Sequence, residues 1–222
     1  MRKIYKYIVF SLLVCSVCVP AASWGQTRGI DVSKYQGDIN WKKVADSKKV
    51  KFVYIKATEG MTIQDAYYRK NLEGARAQGI PVGSYHLYSS KTTATQQFDN
   101  FKKVVKKSEQ DLIPVLDIEA IHCANLNIER VDKILQMMEA EYGVKPLIYT
   151  SERVYFTHFA NKKYSEYQIF IANYRRFPKT RFTLWQYTQT GRVNGIAGDV
   201  DFSEMNQSRT LDDILLPKQS KD

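Results

Sequence analysis

Two hydrophobic periods alternate along this chain. Runs rich in β-branched and aromatic residues, at 29–33, 51–58, 80–87, 112–119 and 146–150, read as strands. Between them, segments at 41–47, 66–78, 93–107 and 128–142 carry helical spacing. The last of these sets Ile128, Val131, Leu135, Met138 and Tyr142 on one stripe, the pattern of a helix face packed on a core. Gly79 and Gly143 follow two of the helices where a left-handed capping residue is expected. Alternation of strand and helix implies a parallel sheet, because each crossover helix carries the chain back to the same end of the sheet. Beyond Ser151 the pattern changes: 168–173, 182–187 and 196–202 read as strands, but their connections are too short for full helices. About eight strands, five of them followed by helices, predict an α/β fold, a modified TIM-like barrel of about five β/α units plus three further strands.

The first 25 residues stand apart from this alternation. Arg2, Lys3 and Lys6 precede an apolar run over 7–19 that is too short to span a bilayer, and residues 20–25 supply small side chains for cleavage. This reads as a signal peptide over 1–25, which predicts a secreted or periplasmic protein with no membrane span in its mature form. A lipoprotein anchor at Cys15 or Cys18 is the alternative, but neither cysteine follows the small residue such a site needs. Cys123 is then the one cysteine left, so stability has to come from packing and not from an internal disulfide. The barrel is expected over 26–208. A tail over 209–222 follows, with an amphipathic closing segment around Ile214, Leu215 and Leu216.

Charge narrows the partners. The formal net charge is +10, and loss of Arg2, Lys3 and Lys6 with the signal leaves +7. A basic exported protein is drawn to anionic polymers and surfaces. Nucleic acid is not expected, because the lysine groups at 42–43, 48–51 and 102–107 are spread over predicted helix faces with no nucleic-acid-binding signature.

Against this basic background the acids are grouped. Chemistry in a βα-barrel collects at the C-terminal ends of the strands. The strand at 112–119 ends in Asp117 and Glu119, two residues apart and so on one face. Asp31 sits in the first strand and Asp201 in the last, which are neighbours if the barrel closes. Four carboxylates then share one pocket, and crowding raises their pKa values, the arrangement that keeps an acid protonated for donation to a leaving oxygen. Tyr85, Tyr149, Trp185 and Tyr187 lie at predicted strand ends, where an aromatic face can stack on a sugar ring, although the barrel interior also needs large residues there. Lys56 and Glu59 suit a structural ion pair, and His86 a buried, hydrogen-bonded histidine. His122, Cys123 and His158 show no metal-ligand spacing, so no metal or other cofactor is expected.

The motifs run in a familiar order. Gly29-Ile-Asp-Val-Ser-Lys-Tyr-Gln-Gly37, Asn40-Trp41, Phe52-Val-Tyr-Ile-Lys-Ala-Thr-Glu-Gly60, Gly83-Ser-Tyr-His86, Pro114-Val-Leu-Asp-Ile-Glu119, Ile148-Tyr-Thr150, Trp185-Gln-Tyr-Thr188 and Gly198-Asp-Val-Asp-Phe202 resemble the glycoside hydrolase family 25 lysozymes over residues 28–206. That resemblance implies a barrel of five β/α units and three strands, and hydrolysis of the β-1,4 bond between N-acetylmuramic acid and N-acetylglucosamine in the glycan strands of peptidoglycan. It implies that Glu119 is the general acid, Asp117 its partner carboxylate, and Asp31 and Asp201 flanking acids, with Asp201 rather than Asp199 at the matching position. Phe170 stands where many members have tryptophan and Leu87 where phenylalanine is usual, which puts aromatic subsite contacts in doubt more than the chemistry. Acids two apart on one strand fit neither standard carboxylate separation. A retaining route is therefore expected, in which the acetamido group of the sugar attacks while Asp117 orients it; water activation with inversion is the alternative. A non-catalytic peptidoglycan-binding protein on the same barrel is the competing function.

Overall fold

A computed structural model of the protein describes residues 27–119 and 126–217; the expected signal peptide, His122, Cys123 and the last five positions lie outside the described residues. Nine strands are described: β1 (Arg28–Val32), β2 (Phe52–Glu59), β3 (Ile63–Gln64), β4 (Val82–Leu87), β5 (Val115–Ile118), β6 (Leu147–Ser151), β7 (Ile169–Ala172), β8 (Leu184–Gly191) and β9 (Val200–Met205). The helices are α1 (Trp41–Asp46), α2 (Tyr68–Ala77), α3 (Ala94–Val104), α4 (Ile128–Tyr142) and a short α5 (Glu152–Val154) that runs into a π turn over Tyr155–Phe159.

Pairing runs β1-β9-β8-β7-β6-β5-β4-β2, and β2 pairs back to β1, so eight strands close into a barrel with β3 hanging on β2 as a short antiparallel arm. Six of the eight seams are parallel, as the βα alternation requires. β9 is antiparallel to both neighbours. Its N-terminal end therefore lies at the same rim as the C-terminal ends of the others, and Asp201 pairs directly with Asp31.

Strand parity divides the core in two. Phe52, Tyr54, Val115, Leu147, Tyr149, Phe170, Leu184 and Met205 fill the barrel, while Ile30, Val53, Ile55, Leu116, Ile118, Ile148, Ile169 and Ile171 face the helices. Inside, Phe170 meets Tyr149 edge-on at 5.0 Å and Tyr54 at 6.0 Å between ring centres. Phe170 is thus a filler of the barrel core and not a rim aromatic. The barrel leaves no room at Gly83, where a Cβ would come within 2.3 Å of the Tyr54 ring.

Helix ends follow the sequence. Asn40, Thr93 and Asn127 accept the backbone N–H three residues on at the starts of α1, α3 and α4, and Gly143 ends α4 at φ 73°. Three boundaries differ from expectation for local reasons. Pro114 has no N–H to give a ladder, so β5 begins at Val115, and Leu112 instead forms an isolated bridge to Leu215. Gly195 at φ 103° and the turn around it delay β9 to Val200. The closing segment is a 3-10 turn, Leu211–Ile214, that drives a fully buried Ile214 into the barrel's floor, so residues past 208 pack into the same core.

Candidate active site

The barrel rim at the C-terminal ends of the parallel strands holds a narrow pit of about 50 Å³, lined by Asp31, Tyr54, Tyr85, Val115, Asp117, Glu119, Tyr149, Gln186 and Asp201. All four acids singled out from the sequence meet there, together with Tyr85 and Tyr149. Inward parity explains each one: Asp31 on β1, Tyr85 on β4, Asp117 and then Glu119 on β5 and just beyond it, Tyr149 on β6 and Asp201 on β9.

Trp185 and Tyr187 do not join them. Leu184 and Met205 face inward as partners, so Gln186 is the β8 residue that faces the pit, and its two neighbours point outward. The indole of Trp185 donates to Asn173 O at 2.8 Å and meets the Phe177 ring at 5.2 Å; Tyr187 packs between Trp185 and Phe202. Strand parity thus sets both aromatics on the outer face of β8, apart from the four carboxylates with which they were expected to share substrate.

Gln186 is the site residue that sequence reasoning passed over. Its Oε1 accepts from the hydroxyls of Tyr149 at 2.7 Å and Tyr174 at 2.6 Å, which fixes the orientation of the amide, and its Nε2 donates to Asp31 Oδ2 at 3.0 Å. Ser203 Oγ donates to the same Asp31 oxygen at 3.1 Å. Tyr174 is held by the loop after β7, and that loop is pinned by the buried Glu152, which accepts from Asn173 Nδ2 at 2.9 Å and Arg176 Nη2 at 2.7 Å. Alternation along β8 offered either Leu184 and Gln186 or Trp185 and Tyr187 as the inward set, and the pairing of Leu184 with Met205 decides for the first.

Electrostatics in the pit favour protons. Burial, then the charge of Asp201, pushes Asp31 up to about 7, against the opposing hydrogen bonds from Gln186 and Ser203. Burial and Glu119 push Asp201 up to about 6. Burial, then Glu119, holds Asp117 well above the usual carboxylate range, with Lys56 opposing the shift. Asp117 Oδ1 is buried and makes no hydrogen bond, and the residue lines the pit. Lys56 Nζ meets Glu59 Oε2 at 2.7 Å, the expected ion pair. His86 faces the helices instead, bonded to Thr58 Oγ1 at 2.7 Å and Gln97 Oε1 at 3.3 Å, and burial pulls it down to about 4. Among the described residues no group of histidine, cysteine and acidic side chains has the geometry of a metal site, and no helix is long and apolar enough to cross a membrane.

Such a set of carboxylates can protonate a leaving oxygen and stabilise a cationic sugar. The sequence profile described as "Glycosyl hydrolases family 25" matches residues 30–196. The chain belongs to glycosyl hydrolases family 25. It is a glycoside hydrolase of the lysozyme class. Relatives of this family 25 chain include an uncharacterized protein, YegX, of Escherichia coli K12, 35% identical over 189 residues that cover 80% of this chain and 69% of that protein. Lysozyme M1 of Streptomyces globisporus is 32% identical over 209 residues, covering 85% and 70% of the two chains. The crystal structure of a lysozyme from Streptomyces coelicolor superposes with a TM-score of 0.75 at 29% identity, over 86% of this chain and 96% of that one. A family 25 glycosyl hydrolase from Bacillus anthracis gives 0.74 at 30% identity, over 82% and 91%.

Proposed function

We propose that this family 25 hydrolase is an exported peptidoglycan N-acetylmuramidase that cleaves the β-1,4 bond between N-acetylmuramic acid and N-acetylglucosamine with retention, the sugar's own acetamido group acting as nucleophile. The observation that carries the reading is the gathering of Asp31, Asp117, Glu119 and Asp201 around one pit at the barrel rim.

In this reading the acetamido N–H donates to Asp117 Oδ1, which favours the ionised form of Asp117, with Lys56 assisting. The ionised carboxylate then aligns the acetamido oxygen for attack on the anomeric carbon and stabilises the oxazolinium ion. Glu119, half-buried at the rim, protonates the glycosidic oxygen as the bond breaks, and the same carboxylate later takes a proton from the incoming water. Asp31 and Asp201, held largely protonated at mildly acidic pH, line the sugar side without adding negative charge.

The test is release of new reducing ends from purified peptidoglycan, with mass spectrometry of the products. Reducing-end N-acetylmuramic acid is expected from the wild type, and Glu119→Gln is expected to lower kcat by about 10²–10⁴-fold with the fold retained. Equal rates in the two proteins would remove Glu119 from the acid role, and binding without cleavage by the wild type would favour a non-catalytic glycan-binding protein. Proton NMR of the first-formed anomer decides the stereochemistry: an initial α-anomer would exclude acetamido participation.

A further inference from the structure

Outside the pit, one aromatic side chain is displayed in a way that packing does not explain. Tyr35 is 80% exposed, the most exposed of the large hydrophobic side chains among the described residues. Exposed rings on loose loops are ordinary, but the backbone under this one is fixed from three sides. Ser33 and Gln36 form a reciprocal cap around it: Tyr35 N donates to Ser33 Oγ at 3.3 Å and Ser33 N to Gln36 Oε1 at 2.8 Å. Lys34 N donates at 2.9 Å to Asp65 Oδ2, a buried carboxylate whose other oxygen takes Tyr67 N at 2.9 Å. Gln36 Nε2 reaches across to Asp199 O at 3.2 Å.

These anchors also locate the ring. The turn leaves β1 two residues after Asp31, and its Gln36 is tied to the residue two before Asp201, so Tyr35 stands at the rim on the β1–β9 side of the pit. The Lys34 ammonium sits 5.5 Å from the centre of the ring. A held phenol ring exposed to solvent offers a flat amphipathic surface at small entropic cost, which suits the C–H face of a pyranose. A polymeric glycan is longer than the pit, so some of its sugars lie across the rim and its surroundings.

We propose that Tyr35 is an outer sugar-stacking platform, binding a pyranose of the same glycan strand beside the carboxylate pit. This rests on the muramidase reading given above. Tyr35 then contributes to holding the polymer and takes no part in bond cleavage, and its effect depends on strand length.

The experiment compares wild type, Tyr35→Ala and Tyr35→Phe on long uncrosslinked glycan strands and on short oligosaccharides, with KM and kcat read from reducing-end release and binding read by co-sedimentation with insoluble strands. Tyr35→Ala is expected to raise KM on long strands by roughly five- to tenfold, with kcat altered less than about twofold, to weaken co-sedimentation in parallel, and to leave the melting temperature unchanged. Tyr35→Phe keeps the ring and is expected to behave as wild type. A KM and a bound fraction for Tyr35→Ala equal to wild type on long strands would overturn the proposal, as would equal losses in the alanine and phenylalanine variants. Absence of cleavage by the wild type would bring down the muramidase reading alone, and co-sedimentation of the same three proteins would still decide the role of Tyr35.

Discussion

Replacing Asp31 by asparagine should make the protein more stable at neutral and alkaline pH, because the pit holds this carboxyl against its preference. Asp31 lies among Tyr54, Tyr85, Asp117, Glu119, Tyr149 and Asp201, with two donors, Gln186 and Ser203, on one oxygen. Burial and Asp201 move it from the ordinary 3.8 to about 7. A carboxyl whose folded-state pKa is raised binds its proton more tightly when folded. Its contribution is fully present below the unfolded value and is lost as pH rises through the folded one, here between 3.8 and about 7. That gap corresponds to about 4 kcal/mol at most, and about 2–4 kcal/mol after allowing for the shared burden with Asp201. Asparagine has the same shape, can still accept from Gln186 and Ser203, and carries no charge, so it escapes the loss. Thermal unfolding followed by circular dichroism at about pH 3.5 and about pH 8 measures the difference. The variant's melting temperature relative to wild type should climb by roughly 5–15 °C between the two conditions for a domain of this size. A difference that stays constant with pH, or that turns against the asparagine protein at the alkaline end, would refute the electrostatic account of the pit.

Two further outcomes follow from the same geometry. Gln186→Leu removes a hydrogen bond that lowers Asp31 and strands the hydroxyls of Tyr149 and Tyr174, so the Asp31 titration followed by carboxyl carbon NMR should move to higher pH and stability should fall by about 1–3 kcal/mol; an unmoved titration would show that the amide does not control Asp31. Trp185→Leu strips the outer face of β8 of its contact with Phe177 and its bond to Asn173, so urea unfolding should show a loss of about 2–3 kcal/mol; a large rise in KM with stability intact would return Trp185 to the substrate.

Much of the barrel was legible because its elements announce themselves locally. Strand runs such as 147–151 and 169–172 are rich in β-branched and aromatic residues, and α4 carries an uninterrupted stripe ending at Gly143. The candidate site was legible where parity was internal to one strand: Asp117 and Glu119 share a face in any register. It was not legible on β8. Leu184, Trp185, Gln186 and Tyr187 read almost equally well with either set inside, and only pairing of Leu184 with Met205 on one side and Phe170 on the other turned Gln186 inward and the two large aromatics out.

What the sequence determined by itself was the order of strands and helices and the presence of four acids spaced along the chain, since both depend on interactions among residues a few positions apart. What only the tertiary structure decided was the direction of β9, which brings Asp201 alongside Asp31 at the open rim, and the enclosure that lifts the acids' proton affinities. Neither has a local cause: strand direction follows from how the barrel closes, and a carboxyl's proton affinity follows from how much water the surrounding strands exclude.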